Sequence, residues 1–385
     1  MVAKTQAGFE QVLADEISAV HGTDIRMLRR AVAFRGNREL MYRANLWLRC
    51  ALRVLVPIHT AVARDADELY RATYAFNWAD FMAHTDTFAI DCKTNSEIHH
   101  HSLYAALRIK DAIADQFRDR KKSRPSVDLN FPTLRINVLI NDTDVTFSID
   151  SSGNSLHKRG YRLENNVAPL NEVTAAGLIA LTGWNGESDF GDLLCGSGTF
   201  LVEGAMVSTR QAPGLKRSDG FGFQVWKDYD KVLWKSLLEE AKQQICKPRG
   251  VIFGSDISNE TIDLARRNIY RAGLTPFIRI GVSDFRKAKP PGKGGLLIMN
   301  PPYGERMQTD ALEELYHDLG DTMKQSFKGF EAWILSGSPA AMKKFGLKAS
   351  LKIPILNGSI DCRFHKYELY EGSRQKPVNS QGPED

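Results

Sequence analysis

This chain of 385 residues has five cysteines and no Cys-x-x-Cys pair, so it lacks the spacing of both a disulfide framework and a zinc ribbon. Cys50, Cys92, Cys195, Cys246 and Cys362 are dispersed and odd in number, which points to free thiols in a reducing compartment and to a cytoplasmic protein. No uninterrupted apolar run reaches membrane-spanning length and no basic-then-apolar leader opens the chain, so neither a span nor a secretory signal is expected. Excess charge is scarce as well. The 51 basic and 46 acidic residues leave +5, which is compatible with a polyanionic partner but does not require one. His99-His100-His101 reads as a loop, because consecutive side chains cannot converge easily on one ion and no Cys or His cluster is near. No metal is expected.

What is present is length enough for two or three domains, written in two different patterns. The first part is mixed α and β. A helix is predicted over residues 8–20, where Phe9, Val12, Leu13, Ile17 and Val20 recur at helical spacing, and another over 39–52. Leu103, Leu107, Ile109, Ile113 and Phe117 predict an amphipathic helix that runs into Arg118-Asp119-Arg120-Lys121-Lys122-Ser123-Arg124 and stops near Pro125. Those cations are favourable at a helix C-terminus and equally suited to phosphate contact. Strands over 134–140 and 145–149, joined by Asn141-Asp142-Thr143-Asp144, read as a hairpin. From about residue 171 strands alternate with helices, the signature of a parallel sheet covered on both faces. Helices are expected over 172–182, 200–209, 260–272 and 311–326, and strands over 189–194, 250–256, 278–282, 296–299 and 332–336. A long insertion after residue 209 carries Trp226 and Trp234, which at helical spacing read as packing residues. Residues 353–369 are strand-like, and 372–385 are polar and expected to be disordered.

Chemistry concentrates at the ends of the predicted strands. Asn300-Pro301-Pro302-Tyr303 directly follows the apolar run ending at Met299. An exocyclic amine on a nucleobase is a poor nucleophile until its N–H groups are held by acceptors, and the Asn300 side chain with the Pro301 carbonyl can supply two. Pro302 stiffens the loop, and Tyr303 offers a ring for an extruded base to stack on. The same tetrapeptide also suits an ordinary turn. Between a strand and a helix lies Asp192-Leu193-Leu194-Cys195-Gly196-Ser197-Gly198-Thr199, whose glycines let backbone pass close to a nucleoside cofactor. Asp256, with Ile257 beside it, ends the next core strand, where a carboxylate can accept ribose hydroxyls; the insertion places it much further on than the usual ~20 residues. Asp284 and Phe285, after the third strand, offer a carboxylate to an adenine amino group and a ring to its face. In open α/β sheets these ends converge on one crevice. Their order suits S-adenosylmethionine chemistry. Cys195 reads as a small packing residue.

The segments Leu156-His157-Lys158-Arg159-Gly160-Tyr161-Arg162, Ala168-Pro169-Leu170, Cys195-Gly196-Ser197-Gly198-Thr199, Ala212-Pro213-Gly214-Leu215, Gly254-Ser255-Asp256 and Asn300-Pro301-Pro302-Tyr303-Gly304-Glu305-Arg306 together resemble the bacterial 23S rRNA guanine-N2 methyltransferases that carry a THUMP domain. The resemblance runs from the N-terminus to about residue 370. It implies a ferredoxin-like part over 1–55, a THUMP RNA-binding domain over 56–164 and a Rossmann-like methyltransferase domain over 165–371. Arg159, Tyr161, Ala168 and Pro169 would cover the cofactor pocket, Asn300 and Tyr303 would hold a guanine, and Lys110, Arg118, Arg120, Lys121, Lys122 and Arg124 would face RNA. The implied protein is a monomer acting on large-subunit ribosomal RNA. Alternatives are a transfer-RNA guanine-N2 enzyme, a DNA adenine-N6 enzyme and a ribosome-assembly factor without activity. Two departures stand out: Asp192-Leu193 replaces the family's frequent Asp-Pro, and no second methyltransferase domain follows, so no second modification is expected.

Overall fold

The computed structural model describes residues 1–99, 101–162, 170–303 and 309–370. Its first half runs β1 (Val2–Lys4), α1 (Glu10–Ala19), β2 (Thr23–Leu28), β3 (Ala31–Arg35), α2 (Arg38–Trp47), β4 (Arg53–Val62), α3 (Ala66–Ala75), β5 (Thr87–Asn95), α4 (Ser102–Lys121), β6 (Ser126–Val127), β7 (Leu134–Asn141) and β8 (Asp144–Asp150). These strands form one 8-stranded sheet in the order β2-β3-β1-β4-β8-β7-β5-β6. β4 makes it continuous. Its start pairs with β1, Arg53 opposite Lys4, and its remainder pairs with β8, from Leu55 opposite Asp150 to Val62 opposite Asp144. The boundary expected at residue 55 therefore falls inside a strand that both parts share. The hairpin is tighter than predicted, since Asn141 and Asp144 pair and Asp142 takes the left-handed φ of 51° that a short turn needs.

α4 corrects one expectation. It buries Ala105, Ile109, Ala112, Ile113 and Phe117, whereas Leu103 and Leu107 are 74% and 46% exposed. At 100° per residue those two leucines lie on a different flank from the buried stripe, so the apparent repeat mixed two faces.

The second half continues with α5 (Glu172–Leu181), β9 (Asp189–Asp192), α6 (Thr199–Ser208), α7 (Lys231–Gln243), β10 (Ile252–Asp256), α8 (Asn259–Ala272), β11 (Ile278–Val282), β12 (Gly295–Met299), α9 (Thr309–Ser326), β13 (Phe330–Ser336), α10 (Pro339–Lys344), β14 (Leu351–Asn357) and β15 (Ile360–Glu368). Its sheet has the order β11-β10-β9-β12-β13-β15-β14, with β9 to β13 parallel and β15 antiparallel to both neighbours. This is a Rossmann-like α/β layer, and the strand-like stretch over 353–369 is its closing hairpin. After α6 the chain adds β10 and β11 on one side of β9, then crosses back to add β12 and β13 on the other. At such a reversal the connections diverge and a crevice opens beyond the carboxyl ends of the strands.

The halves interlock through apolar burial. The insertion brings Phe221, Phe223, Trp234 and Leu237 into the same core as Leu40, Tyr42 and Leu46 of α2. Tyr42 stacks on Phe223 with centroids 4.3 Å apart, and Arg43 grips Glu240 through two hydrogen bonds of 2.8 and 2.7 Å. In the other direction Phe9 enters the core of the second half, packed so closely on Gly177 that an added Cβ would lie 2.7 Å from its ring. No described helix is long and apolar enough to cross a membrane.

Candidate active site

The crevice holds a cavity of about 1360 Å³ whose walls include Asp192, Gly196, Asp256, Asn300 and Tyr303. Three strand ends thus meet as their order predicts. Between β9 and α6 the chain reverses through Gly196 and Gly198, with φ of 52° and 81°. A Cβ on Gly196 would meet nothing within 4 Å, so this glycine serves the turn, whereas one on Gly198 would come 3.2 Å from the Cβ of Ala265 on α8. The Gly196 N–H donates to Asp256 Oδ2 at 3.0 Å and the Ser258 N–H donates to Oδ1 at 3.1 Å. The Asp256 carboxylate is therefore locked between the glycine turn and the start of α8, and each oxygen keeps a lone pair. Asp192 is buried and accepts the Leu194 N–H at 3.1 Å. Burial, and then the charge of Asp256, push its carboxyl well above the usual carboxylate range. The Cys195 thiol is pushed up by the same two causes together with Asp192, in keeping with a packing residue. Ser197 accepts from Asn268 through its carbonyl at 3.0 Å, and Thr199 opens α6 with its hydroxyl 3.0 Å from Arg162.

Asn300 follows β12 and faces this cavity. Its Oδ1 is buried and has no hydrogen-bond partner among the described residues. An amide oxygen closed off from water without a donor costs about 1–3 kcal/mol, so it marks a place where a donor belongs. The loop behind it is clamped. Pro301 is buried, and the Pro302 carbonyl accepts from the Tyr316 hydroxyl at 3.3 Å, which also lies 2.8 Å from Ser336 Oγ. The Tyr303 hydroxyl accepts from Asn357 Nδ2 at 2.7 Å, and its ring lies against Gly337, where an added Cβ would approach within 3.1 Å. Neither Tyr316 nor Asn357 carries a local motif; each reaches the loop only through tertiary packing. The turn between β14 and β15, including Gly358 and Ser359, joins the wall beside Tyr303 and was likewise invisible in the sequence.

Several expected positions lie elsewhere. Tyr161 is 1% exposed within the core and donates to Glu203 Oε1 at 3.1 Å, so it supports the cavity from beneath instead of covering it. Arg159 is buried too; it reaches the wall while donating to the carbonyls of Leu156 and Arg49 at 2.6 and 2.5 Å, with Glu203 at 3.6 Å. Asp284 is turned to Arg286, accepting its N–H at 2.9 Å and pairing with its guanidinium at 3.1 Å, outside the cavity wall. Phe285 is 4% exposed among Leu193, Leu297 and Tyr316. The single helical turn Phe285–Lys287, capped by Asp284, swings that ring into the core, and no face remains for an adenine. Ile257 is 70% exposed and outside the wall. Ala168, Pro169 and the segment from Gly304 to Arg306 lie outside the described residues, as does the tail expected over 372–385.

The basic run ends α4 as predicted. Lys110 pairs with Asp111 at 2.8 Å, Arg118 with Asp115 at 2.7 Å, and Arg120 donates to Asn77 at 2.8 Å. Lys121, Lys122 and Arg124 are exposed, and Lys122 closes the helix with a left-handed φ of 56°. His99 of the histidine trio is buried, its Nε2 3.0 Å from the Ala63 carbonyl.

Comparison with known proteins assigns each part. Residues 159–366 match the model of the RMKL-like methyltransferase domain, 63–150 that of the THUMP domain and 1–55 that of the RlmL ferredoxin-like domain. A Synechocystis protein provisionally named an RNA methyltransferase is 40% identical over 370 residues, covering 96% of each chain. The ribosomal RNA large subunit methyltransferase K/L of Syntrophotalea carbinolica is 38% identical over 383 residues, covering 96% of this chain and 53% of that protein. The chain thus spans about half the length of the K/L relatives. A crystal structure of a provisionally named methyltransferase complexed with SAH superposes with a TM-score of 0.86 at 30% identity, covering 97% and 98% of the two chains. The chain belongs to the RMKL-like methyltransferase family, with its THUMP and ferredoxin-like domains built on one sheet ahead of the methyltransferase domain.

Proposed function

We propose that this protein transfers a methyl group from S-adenosylmethionine to N2 of a guanosine in large-subunit ribosomal RNA. The observation that carries the reading is Asn300, on the wall of the cavity that also holds Asp192, Gly196 and Asp256, whose buried side-chain carbonyl has no partner among the described residues. The cavity exceeds the ~300–1,000 Å³ typical of one small-molecule ligand, which suits a nucleoside cofactor and a target base together. Gly196 and the Asp256 carboxylate fit the nucleoside end: the turn leaves open space, and the acid keeps lone pairs for ribose hydroxyls. When bound, S-adenosylmethionine supplies an electrophilic sulfonium methyl.

The chain's own residues do the rest. Asn300 Oδ1 accepts one N–H of the amine and the Pro301 carbonyl the other, which aims the nitrogen lone pair and raises its reactivity. Tyr303, fixed by Asn357, gives the extruded base a face to lie on. The nitrogen sheds its proton after methyl transfer, so no general base is assigned. The exposed end of α4 meets the phosphate backbone. The names of the relatives, a ribosomal RNA large subunit enzyme and an RNA methyltransferase, support RNA as the substrate.

The test uses the purified chain, labelled S-adenosylmethionine and protein-free large-subunit RNA, with nucleosides separated after digestion. Label in N2-methylguanosine is expected. Asn300→Ala should lower turnover by roughly 10²–10³-fold, as loss of a catalytic polar contact does, with RNA affinity unchanged; a fully active variant removes Asn300 from the mechanism. The same carbonyls could hold adenine N6, and label in N6-methyladenosine would move the assignment to that base.

A further inference from the structure

Beyond the basic end of α4 the chain makes a short, stiff loop that carries two large apolar side chains into solvent. Leu129 is 69% exposed and Phe131 80%. The loop is held in place at every side. The Asp128 N–H donates to the Phe88 carbonyl at 3.1 Å, tying the loop to β5. Asp128 Oδ1 accepts the N–H groups of Asn130 and Phe131 at 2.9 and 3.0 Å, and Arg135 donates to the Leu129 carbonyl at 2.9 Å. The Asp128 carboxylate is thus turned into the loop's own backbone, and these bonds hold its carboxyl below the ordinary range. The conformation presents an aromatic ring outward.

The neighbourhood says what would cover that ring. Phe131 follows Arg124 by seven residues, a reach of at most ~25 Å even for extended chain, and Arg118, Arg120, Lys121 and Lys122 lie on the helix end just before it. Across the segment from Arg118 to Arg124 five cations stand against the single acid Asp119, which accepts from the Tyr74 hydroxyl at 2.9 Å. An exposed ring within a few residues of a cluster of cations has the parts of a single-strand nucleic-acid platform, where charge holds the backbone and the ring stacks on a base. A duplex offers no free base face, so an unpaired nucleotide fits the exposed ring better than a paired one.

We infer that Phe131 stacks on an unpaired nucleotide of the substrate RNA while Lys121, Lys122 and Arg124 hold the flanking phosphates, so that the THUMP part selects a single-stranded segment. This rests on the proposal that the chain methylates RNA and adds what its first half recognises.

The experiment compares the full-length protein with Phe131→Ala, Phe131→Trp and Leu129→Ser. Binding at low salt is followed by anisotropy with a labelled oligoadenylate and with an RNA duplex of equal length, and methyl transfer to protein-free large-subunit RNA is measured alongside. Phe131→Ala is expected to weaken the single strand roughly 5- to 100-fold and to leave the duplex within about twofold, with Phe131→Trp restoring affinity. In methyl transfer the Ala variant should raise KM for RNA and leave kcat unchanged. Wild-type affinity of Phe131→Ala for the single strand, or equal losses on both probes, overturns the inference even while methylation of RNA stands. Absence of methylation by the wild-type protein overturns the functional proposal instead, and is read separately.

Discussion

At the scale of single residues the candidate site is a set of side chains held by unlike partners, and the hold on Tyr303 can be tested directly. Asn357 donates to the Tyr303 hydroxyl from the closing hairpin, so Asn357→Ala and Tyr303→Phe should both remove that hydrogen bond, and Tyr303→Phe also removes the hydroxyl's contact with Cys362. Each is expected to lower kcat for methyl transfer roughly fivefold or more, the worth of about 1 kcal/mol, and the double variant should be no worse than Tyr303→Phe alone. Additive losses would mean that the pair does not act together. His157, on the cavity wall, allows a pH test. Burial first, then Arg159, Lys158, Arg162 and Arg217, depress its pKa to about 4. The unfolded chain takes up that proton near the ordinary value of about 6.5 while the folded chain refuses it, so this residue removes stability as pH falls through that window and no more below it. His157→Gln should therefore lose less stability than the wild type between about pH 7 and pH 4 in urea titrations. Parallel losses in the two proteins would exclude such a proton-linked role.

At the scale of elements, legibility followed how locally each element is determined. β12 and β13 could be read because strands covered on both faces are largely apolar runs, and the glycine turn and Asn-Pro-Pro-Tyr are contiguous in the chain. β2 could not, since five of its six residues are exposed and it has no alternation to detect. Neither was the fate of Tyr161 and Phe285 readable: each lies beside residues that do line or flank the site, and only the turn of the backbone sends the ring into the core. Leu103 and Leu107 failed for the opposite reason, as apolar residues that a second helix flank leaves in water. The insertion is the clearest case. Its aromatics suggested packing, but nothing local could say that they complete the core of the other half. Trp234→Ala should cost about 3–5 kcal/mol by opening a cavity between Tyr42, Phe221 and Phe223, and should loosen α2 and β1 more than the parallel sheet. Hydrogen exchange that speeds first in β10 and β12 would contradict that placement.

For the molecule as a whole, these contacts imply that the methyltransferase domain and the ferredoxin-like part fold as one unit. Phe9 crosses into the second core, the insertion crosses back, and a buried polar cluster joins the two. Arg49, between α2 and β4, donates through its guanidinium to the carbonyls of Met206 and Gln211 at 3.1 and 2.9 Å, and its backbone carbonyl accepts from Arg159, which faces the fully buried Glu203 on α6. Such an arrangement holds the first sheet at a set position relative to the crevice, as the proposed delivery of a base into the cavity from RNA held elsewhere requires. Glu203→Gln would deprive the buried Arg159 cation of its ion-pair partner, a loss of about 3–5 kcal/mol. Because the cluster spans both parts, the midpoint of urea unfolding should fall by the same amount whether followed by exchange of β3 amides in the first sheet or of β9 amides in the second. Two separate midpoints, with only the second one moved by the substitution, would show that the domains are merely tethered, and RNA held by the first could not then be positioned by the second.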